Sequence, residues 1–335
     1  MRVLFDHPLP FSLAHGGLAI QIRQTRDALA AVGVEADWMR WWDESQAANV
    51  IHYFGRPDPA YIDFAHRKGC KVVMSELLTG LGSRTAMARR VQRLVISGAK
   101  AFVPPSFLSR MAWGAYQTAD ACVALTPWEA RLMREMFDAP PDRVHVIPNG
   151  VEDVFLSGAT VPREKWLVCT ATITERKRVL ELAQAAVKAQ VPLRVVGKPY
   201  SETDGYGRRF IELVRANPGV LRYEGAVADR AVVADVYLRS RGFVLLSTME
   251  SLSLSALEAA ACGCPLLLSD LPWARCSFGD EAAYCQVTDT VKTAAVLKAF
   301  YEAAPKRPVP ARPHSWRDVG VKLKLLYEVL LRTSK

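Results

Sequence analysis

Short apolar runs recur along the chain, and each is followed by a longer stretch whose apolar positions return at helical spacing. In the first half the runs fall at residues 2–5, 34–38, 49–54, 71–75, 121–125 and 143–147. Helical patterns are predicted over 18–32, 59–68, 84–97, 107–118 and 127–137. In the helix over 18–32, Ile20, Thr25, Ala28, Leu29 and Val32 form the apolar face, opposite Gln21, Arg23, Gln24, Arg26 and Asp27. Strands alternating with helices predict a parallel sheet covered on both faces, the doubly wound α/β arrangement.

Pro148, Asn149 and Gly150 end this series, and a polar stretch to Pro162 reads as a connector. A second series follows, with strands at 165–171, 193–196, 221–224, 242–247 and 265–269 and helices at 178–189, 206–216 and 231–240. Another helix starts after Glu250 and runs into Ala259, Ala260 and Ala261. Four prolines between Pro305 and Pro313 exclude a continuous helix, and a last amphipathic helix runs over 316–331 with Val319, Leu323, Leu326, Tyr327 and Leu330 on one side. The expected organisation is two Rossmann-like domains, 1–155 and 156–310, facing a central cleft, with 311–335 returning to the first domain.

Composition narrows this picture. A chain of 335 residues suits two domains of about 150 residues each. No basic and apolar leader opens it, and the least charged stretch, 251–269, contains Glu258, Gly263 and Pro265, so no membrane-spanning helix is expected. Seven scattered cysteines predict reduced, mostly buried thiols and a cytoplasmic setting; Cys262 and Cys264 lack a second pair at metal-ligand spacing. A net charge of +9 favours an anionic partner. Without a basic arm or an aromatic-basic repeat, nucleic acid is not expected, which leaves a diphosphate or an anionic membrane surface.

Candidate chemistry concentrates where the strand at 242–247 hands over to a helix. Glu250 and Glu258 bracket that turn in E-S-L-S-L-S-A-L-E. Parallel strands bind ligands just past their carboxyl ends, and a helix start offers unpaired N–H groups to an anion. The plain alternative is a capping glutamate and a solvated one. Gly16 and Gly17, between the first strand and first helix, either let a phosphate approach the backbone or simply turn the chain.

Taken in order, the Gly16-Gly17 loop, V-I-P-N-G-V ending at Val151, the cluster Glu175-Arg176-Lys177-Arg178, the run from Glu250 to Pro265 and Ser315-Trp316 resemble the retaining glycosyltransferases of family four, which have the GT-B fold. The resemblance covers nearly the whole chain, and the run from Glu250 is its specific element. It implies transfer from a nucleotide-diphosphate sugar (UDP- or GDP-linked) without metal or cofactor, the leaving diphosphate being neutralised by basic side chains and backbone amides. The chain has no D-x-D motif.

Carried over by position, Glu250 would hold hydroxyls of the donor sugar or support its cationic transition state, and Lys177, with Arg176, would be a catalytic residue that neutralises the diphosphate. Glu258 would accept hydrogen bonds from the ribose hydroxyls. Backbone amides around Ser253, Leu254 and Ser255 would face the β-phosphate, and the base would lie near Gly225 and Val227. The arginine usual in the family falls on Thr172, so Arg176 or Arg178 is expected to supply the missing charge. A histidine that many members carry falls on Ser75 or Glu76. Glu76 is therefore an acceptor-side candidate, with a plain helix-approach carboxylate as the alternative. His15, beside the glycine loop, is either an acceptor-side residue or a loop donor, and Asn149 is a further acceptor-side candidate.

The implied activity is hexosyl transfer to a glycan, glycolipid or glycoprotein; a non-catalytic nucleotide-sugar-binding or scaffold subunit is the alternative. Residues 84–111 mix Arg89, Arg90, Arg93, Lys100 and Arg110 with Val91, Leu94, Val95, Phe102 and Phe107. That mixture suits either a peripheral membrane surface or an ordinary helix with a basic edge.

Overall fold

The computed structural model describes residues 1–9, 11, 16–104, 107, 111–159, 161–201, 203–286 and 289–332. The chain divides into two compact units, Met1–Gly150 with Trp316–Lys335, and Val151–Ser315.

The first unit is built on a sheet of β1 (Arg2–Asp6), β2 (Glu35–Trp38), β3 (Val50–Phe54), β4 (Lys71–Ser75), β5 (Ala121–Ala124) and β6 (Val144–Val146). Their order is β2-β1-β3-β4-β5-β6, all parallel. The longer helices before its last strand are α1 (Gly17–Ala31), α2 (Pro59–Arg67), α3 (Ala86–Phe102) and α4 (Pro127–Phe137). The second unit repeats the plan with β7 (Leu167–Thr170), β8 (Leu193–Val196), β9 (Leu221–Tyr223), β10 (Gly242–Leu245), β11 (Leu266–Ser269) and β12 (Ala283–Cys285), ordered β12-β11-β10-β7-β8-β9 and again all parallel. Its helices are α5 (Val179–Ala189), α6 (Gly205–Ala216), α7 (Arg230–Arg239), α8 (Leu254–Ala261), α9 (Pro272–Phe278) and α10 (Thr290–Ala303). The α/β class expected from the alternation is the class observed.

The central strands are apolar without alternation because helices cover both sides of each sheet. Every residue of β5, β8, β10 and β11 is buried. Helix starts are fixed locally: the carboxylates of Asp58, Asp204, Asp229 and Asp289, and the hydroxyls of Thr126 and Ser253, accept backbone N–H groups of the following turn. Glu129, at the third position of α4, is buried and accepts from the Leu125 amide at 3.0 Å and the Leu78 amide at 2.9 Å, which ties the loop after β4 to the end of β5.

The last helix, α11 (Trp316–Arg332), packs on α1 within the first unit. A Cβ on Gly320 would lie 2.5 Å from the Ala28 carbonyl oxygen, so glycine sets the closeness of that crossing. The buried side of α11 includes Val319, Leu323, Leu326 and Tyr327. Its inner end closes a buried polar chain in which Tyr327 Oη lies 2.6 Å from His52 Nδ1 and His52 Nε2 lies 2.7 Å from Ser75 Oγ.

Several local expectations need correction. In α1 the buried set is Gln21, Ile22, Thr25, Ala28 and Leu29, while Ile20 is exposed. A helix pressed between a sheet and a second helix buries more than one stripe. The helix predicted over 107–118 is not continuous: Ala112 takes a φ of 50°, and among the described residues Ala115–Thr118 forms a turn of helix at its far end. Residues 108–110 lie outside the described residues. The helix predicted over 84–97 runs to Phe102. Helix α9 and strand β12 were not legible, since a seven-residue helix and a three-residue strand offer too few positions to show a period, and α10, which does show one at Ala294, Leu297 and Phe300, was missed.

Burial holds the His52 imidazole neutral and lowers its pKa to about 3. The unfolded chain therefore takes up a proton below pH about 6.5 that the folded state refuses. This contribution to stability is complete above that pH and is lost as the pH falls toward 3, at up to about 1.4 kcal/mol per pH unit. Urea unfolding of the parent and of His52→Gln at a series of pH values should show this slope in the parent only.

Candidate functional site

In the second unit two loops at the carboxyl edge of the sheet are laced together. The strand pair β7–β8 continues past its ends, with Ala171 N–H donating to the Val196 carbonyl at 3.0 Å and Ile173 N–H to that of Lys198 at 3.1 Å. Gly197 permits this approach: its φ is 144°, and a Cβ there would lie 1.9 Å from the Ala171 carbonyl oxygen. From there the chain enters a 3-10 turn, Glu175–Lys177, capped by Thr174, and Arg178 takes the left-handed conformation with φ 52°. The turn is fastened to the loop after β10, where Thr248 N–H donates to the Arg176 carbonyl at 2.9 Å and Arg176 Nη1 donates to that of Met249 at 2.9 Å.

This lacing brings Lys177, Arg176 and Glu250 together. Lys177 Nζ makes a short ion pair with Glu250 Oε1, and Arg176 Nη1 lies 3.3 Å from the same oxygen. The Glu250 and Lys177 side chains are largely buried, whereas Arg176 keeps about a third of its surface. Three charges are thus fixed at a strand-end loop, where desolvation strengthens their interaction. Arg178 does not join them: its charge acts on Tyr206 and Cys285, and its buried Nε has no hydrogen-bond partner. Of the two arginines expected to replace the missing one, Arg176 is the one beside Glu250. Thr172, half-buried, occupies the loop between β7 and the 3-10 turn.

Helix α8 begins four residues beyond Glu250. Ser253 caps it by accepting the Ala256 N–H at 3.3 Å, and its Oγ lies 3.1 Å from that of Ser255. Leu254 and Ser255, in the first turn, keep part of their surface exposed. Their amides stand where a helix start attracts an anion. One turn later Glu258 is buried, with Oε1 in a short ion pair with Arg230 Nη2 and Oε2 accepting from Tyr237 Oη at 3.2 Å. Burial pushes the Glu258 carboxyl above the ordinary glutamate range, while Arg230 and the Tyr237 hydrogen bond pull it back. A carboxylate carries about four acceptor positions, so both oxygens retain capacity for further donors.

Arg230 escaped the sequence reading. It opens α7, stacks over Phe155 at 4.7 Å, and bridges Glu258 to Glu152 through a 3.0 Å contact from Nε. An arginine at a helix start gives no periodic signal, and its partners lie 28 and 78 residues away. Gly225 has a φ of 70°, and its carbonyl accepts the Gly197 N–H at 2.8 Å; Val227 follows, half-buried. A cavity of about 670 Å³ opens nearby, lined by Lys198, Tyr200, Arg208, Ile211, Arg215 and Tyr223.

The remaining candidates belong to the first unit. Gly16 caps α1 with a φ of 136°, a conformation that only glycine adopts without strain, and Gly17 is the first helical residue. Glu76 follows β4 and is held by Arg56, with Nε and Nη2 at 2.8 and 2.9 Å, and by a short hydrogen bond from Tyr116 Oη. Arg56 in turn lies over Phe137 at 4.7 Å. Ser75 is committed to His52. Asn149 is buried before the end of the unit, and His15 lies outside the described residues.

Comparison with known proteins adds an independent line. Residues 8–150 match the glycosyl transferase 4-like domain and residues 164–302 match glycosyl transferases group 1. No curated protein matches the chain in sequence. Among solved structures, sucrose-phosphate synthase from Thermosynechococcus elongatus superposes with a TM-score of 0.71 at 17% identity, covering 99% of each chain. A glycosyltransferase from Rickettsia africae gives 0.66 at 12% identity over 98% of each chain. HepE from Anabaena, solved in complex with UDP, gives 0.58 at 13% identity over 98% of this chain and 100% of its own. At these identities the likeness is one of fold.

A carboxyl accepts hydrogen bonds from hydroxyls fully only when ionised, so affinity for a ligand whose hydroxyls Glu258 holds should fall roughly tenfold per pH unit once the pH is below its carboxyl pKa. Removing the Arg230 charge raises that pKa further. Titration calorimetry with UDP and GDP should show the loss beginning at a higher pH in Arg230→Gln than in the parent, with Arg230→Lys between them.

Proposed function

Because this chain belongs to the GT-B glycosyltransferases, we propose that it moves a sugar from a nucleotide-diphosphate donor to a glycan, glycolipid or glycoprotein acceptor with retention of anomeric configuration. The observation that carries the reading is the convergence of Lys177 and Arg176 on Glu250 at the carboxyl edge of β7 and β10. Glycosidic cleavage of such a donor leaves positive charge on the sugar and adds negative charge to the departing diphosphate. A fixed carboxylate answers the first and fixed cations the second.

In this reading the diphosphate draws Lys177 and Arg176 partly off the carboxylate, and Glu250 turns to the sugar. The amides of Leu254 and Ser255 take the β-phosphate, and Glu258 takes the ribose hydroxyls. Arg176 supplies the charge that Thr172 lacks, so the side chains do the neutralising work of a metal. The base lies by Gly225 and Val227. Gly16, Gly17, Glu76 and Asn149 stay candidates from the first unit, Glu76 as a carboxylate held in place by Arg56 and Tyr116. UDP in the HepE structure makes UDP-sugars the first donors to test.

A second reading, a nucleotide-sugar-binding subunit without catalysis, draws support from Thr172 at the usual arginine position. A panel of UDP- and GDP-sugars, assayed for transfer and for slow hydrolysis, separates the two. The transferase reading expects turnover in the parent, a fall of about 10²-fold or more in kcat for Glu250→Gln with little change in nucleotide affinity, and weakened binding for Lys177→Met. Binding without turnover across the panel would favour the subunit. Anomeric proton couplings in the product report retention.

A further inference from the structure

Helix α3 presents its apolar stripe to solvent. Of its 17 residues only Ile96 is buried. Met87, Val91, Leu94, Val95 and Phe102 are exposed by 67, 53, 73, 62 and 89%. At about 100° per residue these five fall within an arc of roughly 100°, on the side opposite Ile96. Helices that pack on their own domain do the reverse. Arg90, exposed, stands about 40° beyond one edge of the arc, and Arg93, also exposed, lies further round on the polar side. Arg89 and Lys100, further round, are engaged with the ring of Trp128 and the carboxylate of Asp138.

Charge selects among the partners that could cover such a face. From Leu77 to Ala119 the sequence contains no Asp or Glu, but six basic residues: Arg84, Arg89, Arg90, Arg93, Lys100 and Arg110. A second copy of this chain would bring the same positive surface against itself. An apolar stripe on a helix whose only charges are basic matches an anionic lipid surface, with the apolar side chains entering the acyl boundary and the long guanidinium side chains reaching the headgroups. No described helix is long and apolar enough to cross a membrane, so attachment would be to one face of the bilayer.

We propose that α3 is a membrane-docking helix that lies in the interface of an anionic bilayer through Met87, Val91, Leu94, Val95 and Phe102, with Arg90 and Arg93 on the headgroups. The inference is independent of the glycosyl-transfer reading, and it places the first unit where a lipid-linked acceptor could be met.

Flotation of the full chain with phosphatidylcholine vesicles, with and without phosphatidylglycerol, provides the test. Binding is expected to the anionic vesicles at low salt and to weaken as salt rises. Leu94→Ser with Phe102→Ser should abolish it. Arg90→Gln and Arg93→Gln should each weaken it roughly fivefold. All these sites are exposed, so melting temperatures should match the parent, which separates lost docking from misfolding. The proposal is overturned by absence of binding to anionic vesicles at low salt, or by equal binding of the serine variant. It is also overturned if the parent is a dimer that the serine variant converts to monomer, for then a second copy covers the stripe.

Discussion

A carboxylate withdrawn from water must be met by cations and hydrogen-bond donors, and the second unit is arranged around two such carboxylates. Glu250 is met by Lys177 and Arg176, Glu258 by Arg230 and Tyr237. Each partner reaches its carboxylate because a loop has been pinned: the 3-10 turn of Lys177 to the loop after β10, and the start of α7 to Glu152. An uncompensated charge at these depths would cost several kcal/mol. The pairs therefore fix which loop positions can be occupied without stranding a charge.

The same arrangement gives the two glutamates different chemistry. Glu250 shares one oxygen between two cations carried on long side chains. Glu258 sits inside α8, clasped by a guanidinium and a phenol, and its environment changes little unless Arg230 moves. The second unit thus holds one carboxylate clasped within a helix and one that belongs to a cluster of three charges at a loop.

The first unit obeys an opposite economy. Its polar groups at the strand ends are largely consumed by one another: Ser75 by His52, Glu76 by Arg56 and Tyr116, and Glu129 by two backbone amides. Its unusual surface is α3, where apolar side chains are left outside. Helix burial normally follows the apolar stripe, so the orientation of α3 is the feature of this unit that calls for a partner.

The alternation of strands and helices was legible in the sequence because buried parallel strands read as unbroken apolar runs, and the Glu250–Glu258 spacing was legible because seven intervening residues place both carboxylates across a strand-to-helix turn. Residues 270–304 escaped the sequence reading: α9 and β12 are too short to show a period, whereas α10 carries Ala294, Leu297 and Phe300 at helical spacing and was overlooked. The choice of Arg176 over Arg178, the clasp of Arg230 on Glu258 and the closure of Glu76 were decided only by tertiary structure. In each case the deciding contact joins residues distant in sequence, or turns on a backbone angle such as the left-handed φ at Arg178. Local pattern records which residues can form a strand or a helix; it does not record which distant charge will be brought to meet them.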